Sequence, residues 1–382
     1  MTAFVLLAAL LAPPAPSPAA PAQTQTIVVT GRPLADATRA LAECIARKCP
    51  PNEDIDRTLA VVETQFLAGH YAAARSVLNR AISRNARFAK DYPRPVADLY
   101  RVTGRVAIHL GEGEAYRRAV YGIGRSIRAG LPDDSVESLS ADIETGEMNS
   151  GLGQYDRAQA VYGDVVKRAR KANRPDIATM VQLRQAILRD SIGFTSDARR
   201  DLTAVVDATD PARRPFAMAA RILLARLDRR AGRTDSTDAV IAAFARNPTP
   251  MPILIHDAPV GVGLGSGAVN WIATRSFDDA WGDFGFWIRP DGTVADIELL
   301  RHSENDPAWA RPVLVSLAAR RYTPFAAPDD NPGGAYHVER YTLTSLMMSD
   351  SRSRIRRHGP TARYERLDLA AEPPAPTPAS PS

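Results

Sequence analysis

Hydrophobic positions along this chain follow two periods, and the change between them divides it. From Leu34 to about Asn247 apolar residues recur at spacings of three and four, alanine, leucine and arginine are abundant, and strand signals are few, which predicts a succession of helices. Phe66, Tyr71, Ala74, Val77, Leu78 and Ile82 make one apolar stripe, and Tyr155, Ala158, Val161, Tyr162 and Val165 another. Further on the period drops to two: Phe284, Phe286 and Ile288 alternate with Gly285, Trp287 and Arg289.

The helical region repeats. Gly69-His70-Tyr71 is followed by Ala74, Gly153-Gln154-Tyr155 by Ala158, Gly193-Phe194-Thr195 by Ala198 and Gly232-Arg233-Thr234 by Thr237, with a degenerate copy starting at Gly113. The glycines lie 44, 40, 40 and 39 residues apart. Each copy reads as a helix ending at glycine, a tight turn, and a second helix. Glycine supplies the positive φ, tyrosine packs on the preceding helix, and alanine lets the two helices approach. Gly69, Tyr71, Ala74, Gly153, Tyr155, Ala158, Gly193 and Ala198 are therefore expected as structural packing residues, and a fixed period points to a helical solenoid.

Beyond Asn247-Pro248-Thr249-Pro250 the pattern predicts a linker over 248–280, with a short strand at Ile253–Ile255 and a flexible glycine-rich stretch from Gly261 to Gly267. That stretch lacks the Lys-Ser or Lys-Thr of a phosphate loop and the Gly-x-Ser-x-Gly frame of a nucleophile elbow. Residues 281–348 read strand, turn, strand, helix, strand. Pro290-Asp291-Gly292 marks a hairpin, Thr293 to Leu300 returns, and Asp306-Pro307 opens a helix unless Pro312 delays its start to near Arg311. Val313, Leu314, Leu317 and Ala318 face its core side, and Tyr336 to Leu346 closes the unit. The expected fold is mainly α, a helical repeat solenoid over 34–247, with a small C-terminal α+β domain of ββαβ order. The remainder, 349–382, reads as a disordered tail, first basic with Arg352, Arg354, Arg356 and Arg357, then rich in Pro and Ala.

The N-terminus changes the setting. Phe4 to Leu11 is a short apolar run stopped by Pro13 and Pro14, and Ala20-Pro21-Ala22 is a small-residue cleavage pattern, so residues 1–22 read as a signal peptide cut before Gln23. The run falls short of the roughly 20 residues of a membrane span, and no integral span is expected after cleavage. Export to the periplasm of a Gram-negative envelope follows. In the extended segment 23–33, Ile27, Val28 and Val29 favour strand. Cys44 and Cys49 suit an oxidising compartment; Pro50 and Pro51 force Cys49 out of helical geometry, so either a disulfide closes a helix end or two structural thiols stay unpaired. Of 382 residues, 48 are basic and 43 acidic, a net charge of +5, too even to suggest nucleic-acid binding.

The Gly/Tyr/Ala copies resemble the tetratricopeptide repeat, with Gly69, Tyr71, Ala74, Gly153, Tyr155 and Ala158 at its turn and packing positions, over roughly 55–245. The period is longer than the family's, about 34 residues. The resemblance implies a concave surface that binds a protein or peptide. Phe286-Trp287-Ile288-Arg289-Pro290-Asp291-Gly292-Thr293-Val294, then Ile297, Leu299-Leu300-Arg301 and Ser303, with Arg321-Tyr322-Thr323-Pro324-Phe325 at the helix exit, resemble the TonB C-terminal domain, which implies pairing with receptor segments by strand addition. Ile27-Val28-Val29-Thr30-Gly31-Arg32 is similar to the segment near the start of TonB-dependent outer-membrane receptors. Two readings of it stay open, a disordered terminus or a strand docked on the C-terminal sheet, within or between molecules.

No catalytic constellation emerges. His70, His109, His256, His302, His337 and His358 have no metal spacing, and Asp278, Asp279, Asp283, Asp329 and Asp330 read as solvated loop carboxylates without a poised partner. The expectation is no enzyme, no catalytic residue, no metal and no cofactor. The chain reads as a periplasmic interaction scaffold with protein or peptide partners, outer-membrane receptors or other envelope proteins among them. The alternative is an atypical TonB-family energy transducer.

Overall fold

The structure, a computed structural model, describes residues 33–208, 210, 213–233, 235–246, 248–261, 280–303, 307–327, 331–349 and 356–369. The leader, residues 23–32 of the extended segment, most of the glycine-rich stretch, Asp278, Asp279, Asp306, Asp329, Asp330, Arg352, Arg354 and the terminal Pro/Ala-rich residues lie outside them.

Helices fill the first part: α1 (Leu34–Ala46), α2 (Pro51–Leu67), α3 (Tyr71–Asn85), α4 (Pro93–His109), α5 (Gly113–Gly130), α6 (Val136–Gly151), α7 (Tyr155–Lys171), α8 (Pro175–Ser191), α9 (Thr195–Val206), α10 (Arg214–Arg230) and α11 (Asp235–Arg246). Prolines open α2, α4 and α8, where the missing N–H has no helical partner to lose and the fixed φ already suits a helix. Cys44 and Cys49 are joined by a disulfide with Cα atoms 5.2 Å apart, across the turn from α1 into α2. From α2 onward the helices pair around a glycine turn: α2/α3, α4/α5, α6/α7, α8/α9 and α10/α11. Tyr71, Ala74 and Leu78 sit in the core of the first pair, Tyr162, Ala158 and Val165 in that of the third, and Ala198 and Leu202 in the fourth. Tyr155 is half-buried at the edge of its cluster.

The second turn corrects the reading of the sequence. Its positive φ is at Gly111 (+70°), and Gly113 merely opens α5, so the turn glycines Gly69, Gly111, Gly153, Gly193 and Gly232 lie 42, 42, 40 and 39 residues apart. At the position of Ala74 this copy carries Tyr116, and the close helix contact is supplied instead by Gly104 on α4, whose missing Cβ leaves room for the Tyr116 ring.

The C-terminal unit comprises β1 (Leu254–His256), β2 (Trp281–Ile288), β3 (Val294–His302), α12 (Arg311–Ala318), β4 (Arg321–Tyr322), β5 (Ala335–Ser349) and β6 (Arg356–Asp368). Four strands form an antiparallel sheet in the order β3-β2-β5-β6, and β1 pairs with β4. α12 starts at Arg311 with Pro312 in its first turn, where proline is tolerated. Strand β6 corrects the expectation of a disordered tail over 349–382. Residues 356–368 pair with β5 along almost its whole length, from Ser349↔Arg356 to Glu339↔Asp368. Of the basic run, Arg356 and Arg357 lie in this strand, and further along it Arg363 and Arg366 have acceptors in the fold. The linker is likewise only partly a linker: Arg226 on α10 donates to the carbonyls of Ile255 (2.7 Å) and Leu254 (2.8 Å), fastening β1 to the last helix pair.

Both faces of the sheet are covered. Phe284, Phe286, Ile288, Tyr341 and Leu343 point to α12 and pack with Val313, Leu317 and Trp309. On β5 these alternate with Arg340, Thr342 and Thr344, all buried although polar. That second face lies on the solenoid, along the rim made by its glycine turns. Leu367 joins the core of α2–α4, the Met347 amide donates to the Gly111 carbonyl at 2.8 Å, and Arg363 donates to Gly151 at 3.4 Å.

This contact separates two otherwise equivalent glycines. Gly111→Ala and Gly153→Ala each place a side chain at positive φ, a strain of about 1 kcal/mol. A Cβ on Gly153 meets open space, whereas one on Gly111 overlaps the Ser345 carbonyl. Urea denaturation is expected to show Gly111→Ala losing at least twice the stability lost by Gly153→Ala; equal losses would mean the sheet does not press on this turn.

Candidate functional site

Two features of the C-terminal unit invite a functional reading: the polar seam that holds it to the solenoid, and the sheet edge that seam leaves open.

Arg340 is the centre of the seam. Strand alternation sends its side chain to the solenoid face, where it is fully buried. Its Nε donates to Asp283 Oδ1 at 2.6 Å and one terminal nitrogen to Oδ2 at 3.0 Å. The guanidinium also donates to the carbonyls of Phe66 and Leu67 (2.7 Å to the latter). Those carbonyls belong to the last turn of α2, at the negative end of the helix dipole; Phe66 also accepts from the Gly69 amide at 2.9 Å. Above the guanidinium lies Trp281, 4.1 Å from ring centroid to Cζ, with Phe66 at 5.8 Å. Trp281 in turn rests on Gly69, where any Cβ would overlap its indole. One turn further, Thr342 meets the Tyr71 hydroxyl at 3.1 Å and His109 Nδ1 at 2.8 Å. Burial, reinforced by the charges of Arg340 and Arg105, lowers the His109 pKa to about 3, so the ring is neutral. Asp283 also accepts from Arg301 at 2.9 Å. It is therefore a buried ion-pair partner on β2, a correction to its reading as a solvated loop carboxylate. His70 is the residue before α3, as a turn position implies.

A second network fixes the inner end of the sheet. Arg320 is fully buried and satisfied by Asp257 (2.9 Å), both Glu339 oxygens (3.0 Å) and the Tyr341 hydroxyl (2.6 Å). Arg366 holds the other oxygen of Asp257 at 2.9 Å. His337 faces Asp368 (3.3 Å) and Glu339 (3.6 Å). Burial alone would lower the His337 pKa, but the two carboxylates outweigh it and raise it to about 9. The same cations hold Glu339 far below the ordinary carboxylate range, against the opposing effect of its burial. Every group in these networks is paired with another of the fold, which is the pattern of a structural lock. Sequence reading missed both because the alternation Arg340/Thr342/Thr344 is indistinguishable from a solvent-facing stripe.

The open edge is β3. Among the described residues no strand lies on its outer side. Asp296, Glu298, Leu300, Arg301 and His302 are exposed. Two register shifts against β2 give the strand extra twist. Beside it the sheet face overhangs the solenoid and carries a patch: Trp287 and Tyr336 lie 5.2 Å apart, Tyr336 donates to Glu298 at 3.0 Å, and Leu300 is 42% exposed. The patch closes over Gly285, where a Cβ would collide with the Tyr336 hydroxyl. Burial and the Glu298 carboxylate push the Tyr336 pKa up to about 12, so it remains a donor.

Of the residues singled out in the repeats, Tyr71, Ala74, Ala158 and Ala198 are buried packing residues, Tyr155 is half-buried, and Gly69, Gly153 and Gly193 are turn residues at positive φ. Cys44 and Cys49 lie next to Glu53, but sulfurs bonded to each other offer no thiolate to a metal. Among the described residues no helix is long and apolar enough to cross a membrane.

No family model and no curated protein matches the chain. Several solved structures resemble it over part of the chain. BtubC (BKLC) from P. vanneervenii has a TM-score of 0.44 and 15% identity, covering 57% of this chain and 91% of its own. A putative kinesin light chain from Podosopora anserina with nearly identical TPR-like repeats has a TM-score of 0.40 and 16% identity, covering 52% and 98%. The Rap conjugation gene regulator of the plasmid pLS20, in complex with the Phr* peptide, has a TM-score of 0.36 and 13% identity, covering 59% and 60%.

Arg340→Met is expected to cost about 3 kcal/mol in urea denaturation, because it leaves the Asp283 carboxylate buried with only a half-exposed partner. Adding Asp283→Asn is expected to restore part of that loss. The His337 pKa gives a pH window. The folded ring keeps its proton up to about pH 9, while the unfolded one releases it near 6.5. The proton's contribution is therefore complete below pH 6.5 and lost as pH rises through 9. His337→Gln is expected to flatten the decline of unfolding free energy across that window, and an unchanged slope would place the titration elsewhere.

Proposed function

We propose that this chain is a non-enzymatic interaction scaffold of the periplasm, in which the solenoid carries a sheet whose free edge accepts an extended segment of a partner protein. The observation that carries this reading is β3, a nine-residue strand with no strand on its outer side among the described residues, bordered by the Trp287–Tyr336–Leu300 patch. Main-chain pairing supplies affinity in strand addition, and side-chain pockets on the adjoining face supply selectivity. A permanently open edge of this length is otherwise an aggregation hazard. The resemblance of 281–348 to the TonB C-terminal domain supports the same mode of binding, with outer-membrane receptors or other envelope proteins as partners. Export rests on the leader, and the Cys44–Cys49 bridge suits it.

The alternative is an atypical TonB-family energy transducer. The seam weighs against it: a sheet locked to repeats one to three and, through β1, to repeat five is not carried on a free spacer.

Expression with the native leader in a Gram-negative host is expected to yield a soluble periplasmic protein whose mass corresponds to a start at Gln23; an uncleaved, membrane-bound product would favour the transducer. A photo-crosslinking residue at position 300 is expected to trap a partner in the envelope, and the adduct is expected to vanish when Ile297→Pro distorts β3. Trapping that survives this change would sink the strand-acceptor reading.

A further inference from the structure

Helix α1 stands outside the five helix pairs, and its hold on them is slight. It lies against the first repeat, where Ala37 and Leu41 pack with Val61 of α2, edged by Leu34 and by Val77 of α3. Its buried side chains are Ala37, Leu41 and Cys44, against six on α2. A helix of 13 residues is marginal by itself in water, so α1 needs something besides this contact to stay in place. Repeat one is held independently of it. Asp54 ties α2 to Arg84 (2.6 Å) and Asn85 (2.8 Å) of α3, and Arg340 binds the C-terminal end of α2.

The turn from α1 to α2 supplies what the packing lacks. The Lys48 amide donates to the Ile45 carbonyl at 3.1 Å and the Cys49 amide to the Cys44 carbonyl at 3.0 Å. This two-bond ending usually has glycine at its left-handed position and an apolar contact between its outer pair. Here the left-handed residue is Lys48, with φ of +55°, and the outer pair is Cys44 and Cys49, joined covalently. The end of α7 has the same two bonds, from Asn173 to Arg170 and from Arg174 to Ala169, and places Asn173 at φ of +53°. Asparagine tolerates that region, whereas lysine is disfavoured in it. The α1 turn therefore keeps a strained residue that α7 avoids, and the bridge holds it there.

We infer that the Cys44–Cys49 bridge is a redox latch: oxidised, it keeps α1 on the first repeat; reduced by a dithiol, it lets α1 leave while the rest of the solenoid stays folded. Cys49 is the reachable half, being partly exposed where Cys44 is buried, and the exposed cations Arg47 and Lys48 beside it attract an anionic nucleophile. One thiolate of the dithiol attacks Cys49 Sγ, forming a mixed disulfide and releasing Cys44 as a thiolate that takes up a proton. The second thiolate then closes the reductant's own disulfide and releases Cys49, which is protonated in turn. Two electrons and two protons pass from the dithiol to the protein. With the bridge open, the turn retains the Arg47–Glu53 ion pair, a contact of little weight at an exposed position, against the strain at Lys48. Departure of α1 uncovers Val61 at the end of the array, where a solenoid needs a cap. In an oxidising compartment the latch rests closed. The device is independent of β3 and of any strand that edge accepts.

Amide hydrogen exchange of the purified protein, oxidised and after treatment with dithiothreitol in the absence of denaturant, tests this, with alkylation and mass measurement reporting the two thiols. Both cysteines are expected to become alkylated in the folded protein. Amides of α1 are expected to exchange at least about tenfold faster in the reduced form, with those of α6 and α7 unchanged as the control for folding. The double variant Cys44→Ser, Cys49→Ser is expected to match the reduced protein with no reductant present. Lys48→Gly, which removes the strain at the left-handed position, is expected to slow α1 exchange in the reduced protein about threefold; no slowing overturns the role given to this turn. Equal α1 exchange in the oxidised and reduced forms overturns the latch itself. So does a bridge that dithiothreitol opens only in the unfolded chain. Faster exchange spread through α6 and α7 overturns it as well, because the bridge would then support the whole fold and not one helix.

Discussion

The arrangement of this molecule depends on one buried guanidinium. Arg340 joins two parts of the chain that have no covalent reason to meet, and it does so with every kind of partner a guanidinium can have: a carboxylate on its own sheet, two terminal carbonyls of a helix on the other side, and aromatic faces above. Lysine cannot substitute for this set, since a single ammonium lacks the planar fork that reaches Asp283 and the α2 carbonyls at once. The contact also explains neighbouring choices. Trp281 covers the guanidinium and needs a bare Gly69 beneath it, while Thr342 and His109 satisfy one another because no water reaches them. A buried ion pair is a weak source of net stability compared with a well-packed apolar contact, and its worth lies in geometry. It admits one docking register of sheet on solenoid.

That register determines which surfaces are available. The sheet covers the first two glycine turns and reaches the third through Arg363, β1 is held by Arg226 on α10, and the C-terminal unit thereby spans from the first repeat to the last. A solenoid can flex by small changes at each repeat; one clasped at both ends has that freedom reduced. The partly buried ion pairs between successive helices, such as Arg101 with Glu144 and Arg184 with Glu147, add little energy each.

The helical half was legible because its signals are local. A turn glycine, an aromatic residue two positions on and a small residue at the fifth declare a helix pair from sequence alone, and the stripes around Tyr71 and Tyr162 are buried as the spacing requires. The second copy misled by two residues because Tyr116 and Gly104 exchange the usual large and small partners across the helices, a compensation between distant positions. The ββαβ order was legible for the same local reasons. The seam was not. Arg340, Thr342 and Thr344 have the alternation of a wet face, Asp283 looks like one of a run of loop acids, and β6 looks like a basic tail. Arg340 and Thr342 are polar because their partners are polar, and partners such as Phe66, Tyr71 and His109 lie more than 200 residues away in sequence.

That separation bears on how the chain assembles. Arg340 and the carbonyl it binds on Phe66 are 274 residues apart, whereas contacts within and between neighbouring repeats span only tens of residues. Loops of the latter kind close quickly, and long ones late. The repeats are able to form pair by pair as the chain emerges, yet the end of α2 lacks its guanidinium partner, and the ledge at Gly69 stays bare, until the final strands arrive. The first repeat to be made is thus the last to be completed. A chain interrupted before residue 340 would retain most of its helices and expose an unfinished rim at its beginning, the part of the array nearest the N-terminal segment.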